Sequence, residues 1–141
     1  MSNMEYEIFF QNWLKRSEKV DRPIDKGDNF IDLWISFNGW MKLKFGESLR
    51  DDELINKICQ IKEFEISFNE LKKDQFFTQN LLRLKGYTVK DMRYPGDENR
   101  RKEYSESFES LIRTIYQIRC NLFHGRKDVE ESKNDFELVC L

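Results

Sequence analysis

Tyr104-Ser-Glu-Ser-Phe-Glu-Ser-Leu-Ile-Arg-Thr-Ile-Tyr-Gln-Ile-Arg-Cys-Asn-Leu-Phe-His-Gly-Arg-Lys127 decides the fold. The stretch predicts one amphipathic helix that ends on a chemically loaded turn. At about 100° per residue from Leu111, the apolar side chains Phe108, Leu111, Ile112, Ile115, Tyr116, Ile118, Leu122 and Phe123 fill one arc from about 340° round to 140°. Arg119 falls at about 80°, in the middle of that arc. A guanidinium there needs a partner or an opening, because a charge taken out of water must recover its hydration elsewhere. Two explanations compete. One is an internal ion pair with a carboxylate from another helix, Asp28 or Asp32. The other is a cleft at a second protein surface, where the planar fork of Arg119 grips a phosphate. From Ser110 to Lys127 there is no acidic residue, while Arg113, Arg119, Arg126 and Lys127 supply four positive charges. That is a local basic patch on a chain of net charge −2, and it favours the second explanation.

The chain has 141 residues, which predicts a single domain over 1–141 with one core and no need of a cofactor or disulfide to fold. Twelve Phe against two Pro and six Gly favour long helices packed through large side chains. The expected class is all-α, an up-and-down bundle of four to five helices. The acidic net charge excludes long-range attraction of nucleic acid, so any RNA contact must be local. The cysteines Cys59, Cys120 and Cys140 are odd in number and unpatterned. No signal sequence is legible at the N-terminus and no apolar run is long enough to span a bilayer, so a reducing cytoplasmic setting away from membranes is expected.

Upstream, Ile8, Phe9, Trp13, Leu14 and Val20 predict a first helix from Glu5 to Val20, stopped by Asp21-Arg22-Pro23. A second is expected from Asn29 to Phe45, with Asp28 as N-cap and Gly46 as stop. Its apolar positions spread widely, which makes it central. Gly39 inside it points to close approach of another helix. Asn38 lies within its apolar arc and needs hydrogen-bond partners there, either a neighbouring backbone or the cleft that holds Arg119. Asp51-Asp52-Glu53 is an acidic start for a third helix bearing Leu54, Ile55, Ile58 and Ile61. A further helical segment reaches Gly86, interrupted near residues 63–67, where Phe64, Ile66 and Phe68 alternate partly as a strand would. Residues 87–101 predict a long exposed connection with turn chemistry at Pro95-Gly96-Asp97. Its basic cluster, Arg100-Arg101-Lys102, is either a solvated surface or a guide for an RNA backbone. Asp128 caps a last short helix that reaches Leu141 with no stop signal, as though part of it were missing or a partner completed its packing.

The segment Arg119-Cys-Asn-Leu-Phe-His-Gly125 resembles the signature of the HEPN superfamily, an Arg followed after four to six residues by a His near the end of the last core helix. The run Phe30-Ile-Asp-Leu-Trp-Ile-Ser-Phe-Asn-Gly-Trp40 is similar to the second helix of bacterial HEPN proteins. The resemblance implies a helical bundle that dimerises through this region and cuts RNA without metal, in a toxin–antitoxin or phage-defence setting, often under control of a partner nucleotidyltransferase. It implies Arg119 and His124 as catalytic residues. One departure is Cys120 directly after the motif Arg, where a polar residue, often Asn, is common.

The residue chemistry fits. Cleavage by the ribose 2′-hydroxyl asks for a base, a cation on the phosphorane and an acid for the leaving oxygen. His124 titrates near neutrality and suits base or acid; Arg119 suits the phosphate; Asn121 and Asn38 are supporting residues; Arg113, Arg126 and Lys127 would bind RNA. In a regular helix Arg119 and His124 stand about 140° apart and about 7.5 Å along the axis, so a two-fold partner has to bring them together. A zinc site from Cys59, Cys120, His124 and Cys140 lacks any CxxC pair and is not expected, and no cofactor or metal is assigned. The alternative function is a catalytically inactive HEPN-fold binding or regulatory module.

Overall fold

The computed structural model describes residues 2–18, 26–94 and 96–123, without the side chains of 26–28 and 123. His124, Arg126, Lys127, the helix expected after Asp128, Val20 with its stop, and the carboxylate of Asp28 therefore lie outside the described residues. Those that are described are mostly helical, with six α-helices and a two-strand ladder among them. They group into two compact units divided between Lys57 and Ile58.

In the first unit, α1 (Asn3–Ser17) starts two residues before its predicted origin. Ser2 explains this: its hydroxyl accepts from Glu5 N at 3.2 Å while Ser2 N donates to Glu5 Oε2 at 2.6 Å, a reciprocal cap. The second helix, α2 (Lys26–Phe45), begins before Asp28, so Asp28 sits inside the first turn and not at the cap position the sequence suggested. Gly46 ends it at φ +122°, a left-handed conformation that glycine adopts without steric cost.

α1 and α2 pack against each other. Gly39 is the reason they can: a Cβ there would lie 2.9 Å from Phe9 Cδ1 and 3.2 Å from Phe10 Cβ. Ser36 Oγ donates to Phe10 O at 2.7 Å and joins the two helices through a backbone acceptor. Asp32, buried on α2, pairs with Arg16 at 3.2 Å. One of the two carboxylates considered for Arg119 is thus matched within its own unit. α3 (Asp51–Cys59) opens on its three acids as expected, with Arg50 N donating to Glu53 Oε2 at 2.8 Å. Met41, Leu54 and Ile55 are buried.

The second unit contains the last turn of α3, with Ile58 buried, then α4 (Lys62–Leu71) and α5 (Gln75–Leu84). The interruption expected near residues 63–67 falls at 72–74 instead. Phe64 and Phe68 share a helical face, and Ile66, which made the run look strand-like, is exposed, as is Leu71 at the end of α4. Asp74 sets the break by accepting from Phe77 N at 2.9 Å, an N-cap that restarts the helix.

Residues 87–101 are largely exposed, as the sequence predicted, but they are ordered into a short ladder with residues 102–103. β1 (Thr88–Val89) and β2 (Lys102–Glu103) pair antiparallel, Thr88 opposite Glu103 and Val89 opposite Lys102, with a 3₁₀ turn at Glu98–Arg100 between them. Val89 and Asp91 of this arm are buried. The last helix, α6 (Phe108–Phe123), starts later than the periodicity suggested. Ser107 accepts from Ser110 N at 3.1 Å, Glu106 takes φ +69°, and Tyr104 is buried ahead of the helix. Phe108 anchors α6 on α4 through ring contacts with Phe64 and Phe68 at 5.7 and 6.0 Å.

Candidate nucleic-acid interface on the last helix

α6 is buried beyond its predicted apolar arc: Ile112 and Ile118 within the arc are buried, and so are Thr114, Gln117, Cys120 and Asn121 outside it. Thr114, Gln117, Ile118 and Asn121 are buried, and they fall between about 240° and 340° on the helical wheel. Leu111, Ile115, Arg119 and Leu122, at about 0–80°, are half-buried. The physical reason is the arm at 88–103, which packs on α6. Its backbone lacks a full ladder and takes hydrogen bonds from polar side chains instead.

Asn121 supplies them. Only 2 % exposed, it donates from Nδ2 to Lys90 O at 2.8 Å and accepts at Oδ1 from Met92 N at 3.2 Å and Gln117 Nε2 at 3.1 Å. Thr114 returns its hydroxyl to Ser110 O at 2.7 Å. Asn121, which the sequence suggested would orient the reacting groups, ties the arm to α6. Asn38 belongs to the first unit, where Nδ2 donates to Asp51 Oδ1 at 2.9 Å at the start of α3. A side-chain partner satisfies it, where the sequence left open a backbone or a cleft.

Arg119 is half-buried beside Ile115 and Leu122 on the helix surface, with Nη1 3.9 Å from Cys120 Sγ. Cys120 is itself buried. Arg113 reaches Glu109 at 3.0 Å along the helix.

The arm carries a second cationic group. Asp91 is 4 % exposed and accepts from Arg93 N, Nε and Nη2 at 3.0–3.1 Å, with Arg100 Nη1 at 3.8 Å. The hydrogen bonds from Arg93 hold the Asp91 carboxyl below the usual carboxylate range, against the opposing effect of burial. Arg93 is in turn raised, first by its side-chain hydrogen bonds to Asp91 and against the opposing effect of burial. Arg100 reaches Asp97 at 3.2 Å and lies over the Tyr94 ring at 4.0 Å. Between arm and helix runs a cleft of about 270 Å³ lined by Asp91, Arg93, Asn99, Arg100, Lys102, Arg113, Tyr116 and Gln117.

The structure thus brings Arg113, marked in the sequence as an RNA contact, together with Arg100 and Lys102 of the basic cluster. Arg93 and Asp91 were missed. Their signal was faint: Val89, Asp91 and Arg93 alternate as in extended chain, but a buried acid two residues before an arginine reads as loop until the arm is seen to fold back. Among the described residues no group of three or more His, Cys, Asp or Glu is placed to hold a metal ion, and no helix is long and apolar enough to cross a membrane. Compared with protein-family models, curated proteins and solved structures, the chain matches none.

Proposed function

We propose that the protein is a metal-independent endoribonuclease of HEPN type, a helical bundle that acts as a homodimer. The supporting observation is the place of Arg119: a half-buried cation on the apolar arc of α6, which also carries the half-buried Leu111, Ile115 and Leu122 and the buried Ile112. A second copy packed there about a two-fold axis would cover the apolar residues and enclose the guanidinium, in a water-poor cleft where its attraction for a phosphate is strongest.

In this cleft His124 of one subunit removes the proton of the ribose 2′-hydroxyl. The 2′-oxygen attacks phosphorus, Arg119 offsets the charge of the phosphorane, and the partner subunit's His124, as imidazolium, gives its proton to the departing 5′-oxygen. The products are a 2′,3′-cyclic phosphate and a free 5′-hydroxyl. Asn121 supports the site indirectly by holding the arm. Arg126 and Lys127 follow the motif and extend the positive charge for RNA. The biological setting we infer is cytoplasmic toxin–antitoxin control or phage defence, with a nucleotidyltransferase-like antitoxin as regulator.

The test is cleavage of mixed RNA in excess chelator by the wild type and by Arg119→Ala and His124→Ala variants. The expected result is chelator-resistant cleavage that falls by at least about a hundredfold in each variant, in line with the loss of an acid–base or charge-stabilising group. Equal cleavage by all three, or none by the wild type, rejects the nuclease in favour of a binding or regulatory module.

A further inference from the structure

We propose that the cleft between the arm and α6 is a binding site for the phosphodiester backbone of single-stranded RNA, separate from the Arg119 position. The proposal rests on RNA being the substrate; the cleft itself is argued from its own geometry. Arg93, Arg100, Lys102 and Arg113 come from two stretches of chain and converge on about 270 Å³. Three of the four keep ion pairs, Arg93 with Asp91, Arg100 with Asp97 and Arg113 with Glu109, so the group with its partners carries an excess of one positive charge in a chain of net charge −2. A phosphate would add to these pairs as a further acceptor for the guanidinium forks.

The buried Asp91 supplies order. It takes both Nε and Nη2 of Arg93, so the fork is held in place at the cleft wall and loses little freedom when a phosphate arrives. Tyr94 supplies a base platform. Its ring is half exposed, with Arg100 at 4.0 Å and Arg93 at 5.8 Å from the centroid. A positive groove beside an exposed aromatic is how proteins hold unpaired strands, whose bases are free to stack. A rigid duplex could not lower a base onto Tyr94.

The test is fluorescence anisotropy of the full chain with a short labelled 2′-O-methyl oligouridylate, which lacks the attacking hydroxyl and cannot be cut. Arg100→Gln with Lys102→Gln removes two cations while leaving the Asp91–Arg93 pair, and unchanged circular dichroism and Tm show that the variant folds. Its Kd is expected to rise about tenfold, and the slope of log K against log salt to flatten by about 1.4, two single-strand phosphate contacts. Arg119→Ala with His124→Ala is expected to retain most of the affinity. Wild-type Kd and slope in the cleft variant would overturn the proposal whatever the nuclease assay gives, as would a polyglutamate peptide that displaces the oligonucleotide as well as unlabelled RNA does. If wild-type protein cuts no RNA yet the cleft variant still loses affinity, the cleft stands and the nuclease falls.

Discussion

Asp91 makes the arm acid-sensitive in a way that can be signed. Its carboxyl is held below its ordinary value by the hydrogen bonds from Arg93, so the folded protein binds this proton at lower pH than the unfolded chain. The stabilisation is complete above the unfolded value of about 3.9 and drains away as pH falls through the depressed one. Asp91→Asn is expected to cost about 2 kcal/mol near neutral pH, since the bonds lost are to a charged partner. The difference from wild type should close below about pH 4. Thermal melts between pH 7 and 3 check it; a gap that widens in acid would contradict this account. At the same scale the sequence singled out Arg119 as a charge needing explanation, because helical periodicity assigns a face without knowledge of the fold. It could not single out Arg93 and Asp91. Their significance is a contact between neighbours in an arm whose shape depends on α6.

At the scale of the element, the α1–α2 contact depends on one missing methyl. Gly39→Ala gains up to about 1 kcal/mol of helix propensity but forces a Cβ to 2.9 Å from the Phe9 ring and 3.2 Å from Phe10 Cβ. Phe9 can swing aside, whereas Phe10 Cβ moves only with its backbone. Overpacking of this kind costs about 1–3 kcal/mol, so a net loss of about 1 kcal/mol is expected in denaturant titration. A stabilised variant would mean that α1 approaches less closely than described. The sequence pointed to this glycine as a close approach because a helix interior rarely accepts one otherwise. It misplaced the break between α4 and α5, because the alternation of Phe64, Ile66 and Phe68 looks the same in a strand and in a helix with one exposed apolar residue. The signal that would have located it was Asp74, an N-cap type directly ahead of a helical run.

For the molecule as a whole the half-covered face of α6 has a measurable consequence. Leu111, Ile115 and Leu122 share a half-buried stripe of α6 with Arg119, which suits a surface shared with a second copy of the chain. Light scattering after size exclusion is expected to give twice the chain mass, and Ile115→Glu to give the single mass with unchanged circular dichroism and loss of RNA cleavage. Retention of both the wild-type mass and cleavage by Ile115→Glu would move the interface elsewhere. Net charge −2 with a basic cleft implies that RNA affinity is short-ranged, since at physiological salt exposed charges beyond about 8 Å are screened.

The sequence by itself determined the helical class, the stops at Gly46 and Gly86, the acidic start of α3 and the oddity of Arg119, because these follow from periodicity, caps and the cost of a stranded charge, all local quantities. Only the tertiary structure decided that α6 is buried beyond its apolar arc, at the polar Thr114, Gln117 and Asn121. Hydrophobicity gave no reason to bury them, but an arm with few ladder bonds needs side-chain partners for its main chain, and Asn121 meets that need. The same packing shaped a cleft from the arm and the middle of α6.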